Sequence, residues 1–558
     1  MILLLIFLAA IGLILLAERS VEHLAFAVAA FCLSTAVLLL VVADFDRAIL
    51  LAGLLAAAIT AASTVKYNHS ALKLIVTDLP LLFAGTVPFF IVQYPRAVLA
   101  ALGGAAAFAL AVGATLVYGD GPPVDLAVRV SLFGLALIGI AMAWRSGAAA
   151  SIQRINAQRR CFYSGFMASL IDPHALRQFR GLALSDIADD PLPLMPAVPA
   201  RSSDTPDIII IQHESIFDPR IFGLAVEPTV EGLLSPKDGL HGILNVDIFG
   251  GGSWQSEFSL LTGLSSASFG SSAYYLFKQG AGRFHNSLPH ALTALGYNTM
   301  LASSCRRSFL NYDEFYRSIG IGERIFSDDF PAPFDVHQFE TTNSDALFLD
   351  AAIAAHARNI ANDPAPRFLY ALTNFNHGPH DRSLAAHGAF ETERAFAASQ
   401  LPDARYVEYY ARLAETASTW KRLKSELAAK CPERPMLIVH YGDHQPVLAR
   451  QIDRKLRLPG DERRAFRTFY AIETLNMPGR LVPGPGAALD IAFLGTVVLQ
   501  QAGLPLDQVF ATRASLLEQC RETYFASPSE RKRRFHRTLV NLGVIDLGIG
   551  LAGAPRGR

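Results

Sequence analysis

Charge is scarce in this chain. Asp, Glu, Lys and Arg supply 18% of its 558 residues, while hydrophobic residues supply 51% and the mean hydropathy is +0.29. An average soluble domain carries about 25% charged residues, so part of the chain belongs in lipid. Nor does one sign dominate: 49 basic residues balance 49 acidic ones, which gives no global attraction to nucleic acid or to an acidic partner. Cysteine is also sparse. Cys32, Cys161, Cys305, Cys431 and Cys520 show no CxxC spacing, and Cys32 falls in an apolar run. Neither a zinc-finger framework nor a disulfide scaffold is supported, and at most one or two disulfides can form. No internal repeat is present.

What the chain has instead is long apolar runs, nearly all before residue 145. Ile2–Ala17, Leu24–Ala43, Ala48–Val65, Ala71–Val92, Ala97–Tyr118 and Leu126–Trp144 are separated by short polar or Gly/Pro breaks. Each approaches the ~20 residues a helix needs to cross hydrocarbon. No small-residue cleavage site follows the first run, which reads as a span rather than a signal peptide. Five or six spans over residues 1–144 are expected, the sixth carrying Arg129 inside it. Residues 145–206 read as a basic juxtamembrane segment, including Cys161–Phe166, followed by a Pro-rich linker that resists helix and sheet.

After residue 206 the pattern changes to short apolar strands alternating with helical stretches. Asp207–Gln212, Phe368–Thr373 and Pro435–His440 read as buried strands, and Ser287–Leu295 and Tyr406–Ala429 as helices. Fully apolar strands separated by helices predict a largely parallel sheet covered on both faces, an α/β domain over residues 207–527. Residues 528–558 form a basic and then apolar tail, too short and Gly-rich for a span.

Ligands in open α/β sheets collect at the carboxyl ends of strands, and three polar motifs fall there. They are Gln212-His213-Glu214-Ser215, Phe249-Gly-Gly-Gly-Ser253-Trp-Gln-Ser-Glu257, and Tyr441-Gly-Asp443-His444-Gln-Pro446. Singly each reads as a cap, a turn or a surface loop. Together, Glu, Asp and His offer oxygen and nitrogen donors to Mn²⁺, Zn²⁺ or Mg²⁺. Three glycines let backbone approach an anionic ester, and Ser253 then begins a helix. A serine hydroxyl becomes a competent nucleophile when a bound metal lowers its pKa.

The order and context of these stretches resemble the alkaline phosphatase/sulfatase superfamily, in particular its membrane branch of lipoteichoic acid synthases and phosphoglycerol transferases. Besides the three motifs, Ser287-Leu-Pro-His-Ala-Leu, Ser308–Tyr316 and Asn376-His377-Gly378-Pro379 carry the likeness, which spans about residues 205–505. The resemblance implies one divalent ion, Mn²⁺ or Zn²⁺ (or Mg²⁺), held by Glu214, Asp443, His444 and Ser253. Ser253 would be the nucleophile, and His377 would position the ester or protonate the leaving oxygen. Arg306, Arg307, Tyr312 and Asn376 would contact substrate.

Departures narrow the reading. Ser253 stands where this branch usually has threonine, and both are hydroxyls. The x-Pro-x-Arg that must follow the modified residue of a formylglycine sulfatase is missing after Ser253. Leu310 and Tyr312 occupy a segment where polyglycerol-phosphate synthases carry Trp and Arg, which leaves the transferred group open. The resemblance implies transfer of a phospho-head group from a phospholipid or other anionic ester to an envelope glycan or lipid acceptor. Hydrolysis of a phosphate or sulfate ester, or a non-catalytic assembly role, are the alternatives. Arg145, Arg154, Arg159 and Arg160 favour a cytoplasmic domain by the positive-inside rule. The resemblance implies the opposite, a bacterial plasma-membrane protein whose catalytic domain is periplasmic or extracellular, and that expectation is adopted.

Overall fold

The computed structural model describes most of the chain. The longer stretches left undescribed are residues 1–7, 82–94, 146–160, 173–181, 331–343 and 549–558, with shorter ones between them. The chain divides into two compact units, 1–180 and 181–558.

The N-terminal unit is helical. Its helices are α1 (Val21–Val42), α2 (Phe45–Ser70), α3 (Pro95–Tyr118), α4 (Leu126–Arg145) and a short α5 (Phe162–Ile171). Among the described residues, α1 to α4 are the four helices long and apolar enough to cross a membrane. Large apolar side chains such as Leu99, Leu102, Leu110, Leu135, Ile138 and Met142 stand exposed on α3 and α4, a surface that suits lipid and not water. The expected span Ala71–Val92 is not one continuous helix: residues 73–75 are irregular and Val76–Leu81 is a 3-10 turn. The cause is local, since Asp78 accepts from the Ile75 amide at 2.7 Å and pairs with Lys66 at 2.7 Å. The run Ile2–Ala17, like Arg154, Arg159 and Arg160, lies wholly or largely outside the described residues. Arg129, inside α4, donates to the Leu40 carbonyl at 3.1 Å.

The Cys161–Phe166 segment is not peripheral. It opens α5, whose Phe162–Phe166 are all buried against α1 and α2. Glu18 caps this helix from outside, accepting from the Ser164 amide at 3.0 Å and hydroxyl at 2.6 Å. A carboxylate there complements the positive end of the helix dipole.

The second unit is built on an eight-stranded sheet. In chain order the strands are β1 (Asp207–His213), β2 (Leu240–Asn245), β3 (Asn298–Ser303), β4 (Glu323–Ile325), β5 (Arg367–Leu372), β6 (Met436–Gly442), β7 (Arg467–Leu475) and β8 (Ala488–Asp490). Their spatial order is β4-β3-β5-β1-β6-β7-β2-β8, parallel throughout except that β7 runs antiparallel to β6 and β2. Ile208–Ile211 make β1 the centre because all four are fully buried, two toward each face. Each such side chain contributes about 1.5–3 kcal/mol of burial. Helices α6 (Trp254–Thr262), α7 (Tyr312–Ser318), α8 (Ala404–Lys430) and α9 (Glu530–Asn541) matter most below.

The Pro-rich linker and the tail meet. Ala188 and Leu192 amides donate to the Arg533 and Arg534 carbonyls, both at 3.1 Å, and Lys532 pairs with Asp186 at 2.8 Å. Phe535 and Leu539 of α9 and Ile545 beyond it are buried in the core of this unit. No disulfide joins any of the five cysteines.

Candidate active site

Register assembles the first pair of site residues. β1 and β6 lie side by side with His213 opposite Gly442, so Glu214 and Asp443 leave adjacent strands at one level. Gly442 is needed for this approach: a Cβ there would lie 1.8 Å from the Ile216 carbonyl oxygen. His444 follows directly, and donor atoms of Glu214, Asp443 and His444 lie within 4.8 Å of one another, all three residues buried.

Ser253 arrives from the loop after β2. Gly250, Gly251 and Gly252 have φ of 81°, 144° and 93°, a path that side chains with a Cβ rarely follow. Ser253 sits at the N-cap of α6, yet its hydroxyl caps nothing in the helix. It donates instead to Glu214 Oε2 at 2.7 Å and lies 3.4 Å from His444 Nε2. Of the first amides of α6, that of Gln255 donates to the Gly252 carbonyl at 2.8 Å and that of Glu257 to the Ser253 carbonyl at 3.1 Å.

The donors are already oriented. Asp443 Oδ1 accepts from the Ser215 and His444 amides at 2.8 and 2.7 Å, while Oδ2 is buried without a hydrogen-bond partner. His444 Nδ1 lies 3.1 Å from the Gln445 carbonyl, which turns Nε2 toward Glu214 and Asp443 and, in a neutral ring, would keep the proton on Nδ1. Ser215, in the left-handed region at φ 58°, also donates through its hydroxyl to Glu214 Oε1 at 2.8 Å.

Electrostatics agree. Burial pushes the His444 imidazole down, but the Asp443 and Glu214 charges outweigh it and raise it to about 9. Burial and the Glu214 charge hold the Asp443 carboxyl well above its ordinary value. Burial would raise Glu214 too, yet His444, His377 and Ser253 keep it below. Two carboxylates this close stay ionised together only with positive charge between them. An orphaned buried oxygen, an oriented imidazole and a second carboxylate fit a divalent cation with mixed oxygen and nitrogen donors.

His377 stands near enough for its charge to act on Glu214. Its Nδ1 is 2.6 Å from the Gly378 carbonyl oxygen. The other expected substrate residues are placed differently. Arg307 pairs with Asp313 at 2.9 Å and Asp329 at 2.6 Å and lies over the Phe326 ring, within a local ion-pair cluster. Asn376 is fully buried, donating to Thr416 Oγ1 at 3.0 Å and to Asp345 at 3.4 Å. Tyr312 is buried with its hydroxyl 3.5 Å from Glu257 Oε1. Arg306 is half-buried beside Arg307.

A network under α6 was not anticipated. Glu257 accepts from Tyr316 and, at 3.2 Å, from the Gln212 amide; Gln212 accepts from Tyr370 at 3.2 Å and from Tyr441. Burial pushes the Glu257 carboxyl up to about 7. Glu257 bonds Gln212 across 45 residues and the Ser215 amide bonds Asp443 across 228, pairings that position along the chain does not report.

Residues 206–467 match the Sulfatase family. Over these residues, a little under half of the chain, the α/β domain is similar to the sulfatases, as the sequence motifs imply. An uncharacterized protein of Haemophilus influenzae is 24% identical over 319 residues, 55% of this chain and 56% of its own length, so little more than half of that relative is matched. The lipooligosaccharide phosphoethanolamine transferase EptA of Neisseria meningitidis is 11% identical with a TM-score of 0.50, covering 81% of this chain and 83% of EptA. The two share a fold of membrane helices followed by the α/β domain. The Streptococcus pyogenes phosphoglycerol transferase GacH, solved with sn-glycerol-1-phosphate, is 17% identical with a TM-score of 0.46, covering 72% of this chain and 94% of its own.

Proposed function

We propose that the protein is a membrane-anchored, metal-dependent phosphotransferase that moves a phospho-head group from a phospholipid to an envelope glycan or lipid hydroxyl. The observation that carries this reading is the position of Ser253 Oγ, 2.7 Å from Glu214 Oε2 and 3.4 Å from His444 Nε2, at the edge of the Glu214–Asp443–His444 cluster. Membrane helices on the same chain favour a donor that resides in the bilayer. EptA, which shares the fold, is a lipooligosaccharide phosphoethanolamine transferase, a reaction of the same class. The catalytic domain is assigned to the outer side of the membrane, where such acceptors lie.

Glu214, Asp443, His444 and Ser253 would hold one Mn²⁺ or Zn²⁺. The ion, when bound, supplies the Lewis acidity that lets the serine hydroxyl ionise near neutral pH. Ser253 Oγ then forms a bond to phosphorus while the bond from phosphorus to the lipid alcohol breaks. The leaving oxygen takes a proton from His377. The acceptor hydroxyl returns its proton to His377 as it displaces Ser253.

The test is turnover of bis-p-nitrophenyl phosphate and of a fluorescent phospholipid by purified full-length protein. Ser253→Ala should lower kcat by about 10³-fold or more, whereas Ser253→Thr should retain substantial activity. Phosphoserine at 253 should accumulate when no acceptor is supplied. Wild-type turnover by Ser253→Ala would overturn the nucleophile assignment.

A further inference from the structure

One face of α8 carries three buried polar side chains at intervals of four residues, Glu408, Arg412 and Thr416, and all three reach into the segment that holds His377. The Arg412 side chain is wholly buried. Its Nη1 donates to the Phe375 and His377 carbonyls at 3.3 and 3.0 Å, and its Nη2 to those of Pro379 and Arg382 at 3.5 and 2.7 Å. Nε donates to Glu408 Oε1 at 2.9 Å. Glu408 in turn accepts from the Leu384 and Ala385 amides at 2.8 and 3.1 Å. At the other end, Thr416 Oγ1 donates to Asp345 Oδ2 at 2.6 Å and accepts from Asn376 at 3.0 Å.

Residues 375–385 form no strand or helix of their own, so their backbone polar groups need partners from elsewhere. The i, i+4, i+8 spacing places those partners in a row on one helix face. A guanidinium is the side chain suited to the middle position, since its planar fork presents five donors at once.

We propose that Arg412 is a positioning residue for His377, with Glu408 and Thr416 as the ends of the same template, and that it sets where the imidazole meets the ester. This rests on the reading of His377 as the group that exchanges a proton with the leaving oxygen. Arg412 itself is enclosed behind the loop and acts only through it.

The experiment is a double-mutant cycle on the purified full-length protein with bis-p-nitrophenyl phosphate and saturating Mn²⁺. Arg412→Lys keeps the charge but cannot reach four carbonyls. It should lower kcat by about 100-fold, the size of effect a small misplacement of a reacting group produces, with KM and metal content nearly unchanged. Thr416→Val removes one hydroxyl at the far end of the row and should lower kcat by about tenfold; it carries the test if Arg412→Lys does not fold. In a His377→Ala background neither substitution should lower kcat further. Wild-type kcat in folded Arg412→Lys and Thr416→Val overturns the proposal, and so does a full multiplicative loss on top of His377→Ala. Wild-type kcat in His377→Ala alone overturns the reading of His377, and the template proposal falls with it.

Discussion

The two halves of the site are held by different means. Glu214 and Asp443 stand at the ends of neighbouring parallel strands, and their separation is fixed by backbone register. His377 lies on an irregular loop whose position depends on side chains from α8 and on Asp345. A register cannot be altered by replacing one side chain, since the β ladder would have to slip as a whole. A loop held by side chains can be shifted by a single substitution. The metal half should therefore respond to loss of donors in an all-or-none way, and the His377 half in degrees.

The largest expected effect breaks the metal half. Asp443→Ala removes the carboxylate whose Oδ2 is buried without a hydrogen-bond partner. Purified wild-type protein should hold about one divalent ion per chain by elemental analysis, and Asp443→Ala should hold almost none and be inactive. The strands should stay paired, because their register does not involve that side chain. Stoichiometric metal in a Glu214, Asp443 and His444 triple alanine protein would refute the assignment of the ligands.

A smaller effect sharpens the contrast from beneath α6. Glu257 titrates near 7 against an ordinary 4.5, mainly because it is buried, and Asp345 is raised by burial to about 6. A carboxyl whose folded pKa lies above its unfolded value favours the fold while protonated. Its contribution is present below about 4.5 and is lost as pH rises through about 7. Glu257→Gln keeps the oxygen that accepts from Tyr316 and cannot ionise. The fall in thermal stability between pH 5 and 8 should flatten by at most about 1.4 kcal/mol per pH unit, one proton's worth. An unchanged slope would place the Glu257 carboxyl outside the titration.

The smallest effect concerns Arg307. Its ion pairs with Asp313 and Asp329 are partly solvent-exposed, and such pairs contribute about 0–1 kcal/mol. Arg307→Ala should shift stability within that range and leave KM for bis-p-nitrophenyl phosphate unchanged. A tenfold rise in KM would return Arg307 to the substrate.

The legible parts share a physical character. Ile208–Ile211, Phe368–Leu372 and Leu437–Val439 announced buried parallel strands through unbroken apolar runs, and Glu214 and Asp443 stood where such strands end. The glycines before Ser253 marked the loop that brings it to them. In the 145–180 region, composition does not report that Cys161–Phe166 pack against α1 and α2 with Glu18 bonded to Ser164. In the described part of the Ala71–Val92 run, composition does not report that Asp78 ties Ile75 into a turn; residues 82–92 lie outside the described residues.

Composition and period by themselves determined that apolar helices precede a sheet-centred domain, because burial free energy is additive along a segment and needs no knowledge of its neighbours. Tertiary structure alone decided which oxygen of Asp443 stays without a hydrogen-bond partner, which serine hydroxyl reaches Glu214, and that Arg412 holds the His377 loop. Those are directional interactions between groups tens to hundreds of residues apart. A hydrogen bond depends on position to within a few tenths of an ångström, and only the packed sheet and α8 fix positions that closely.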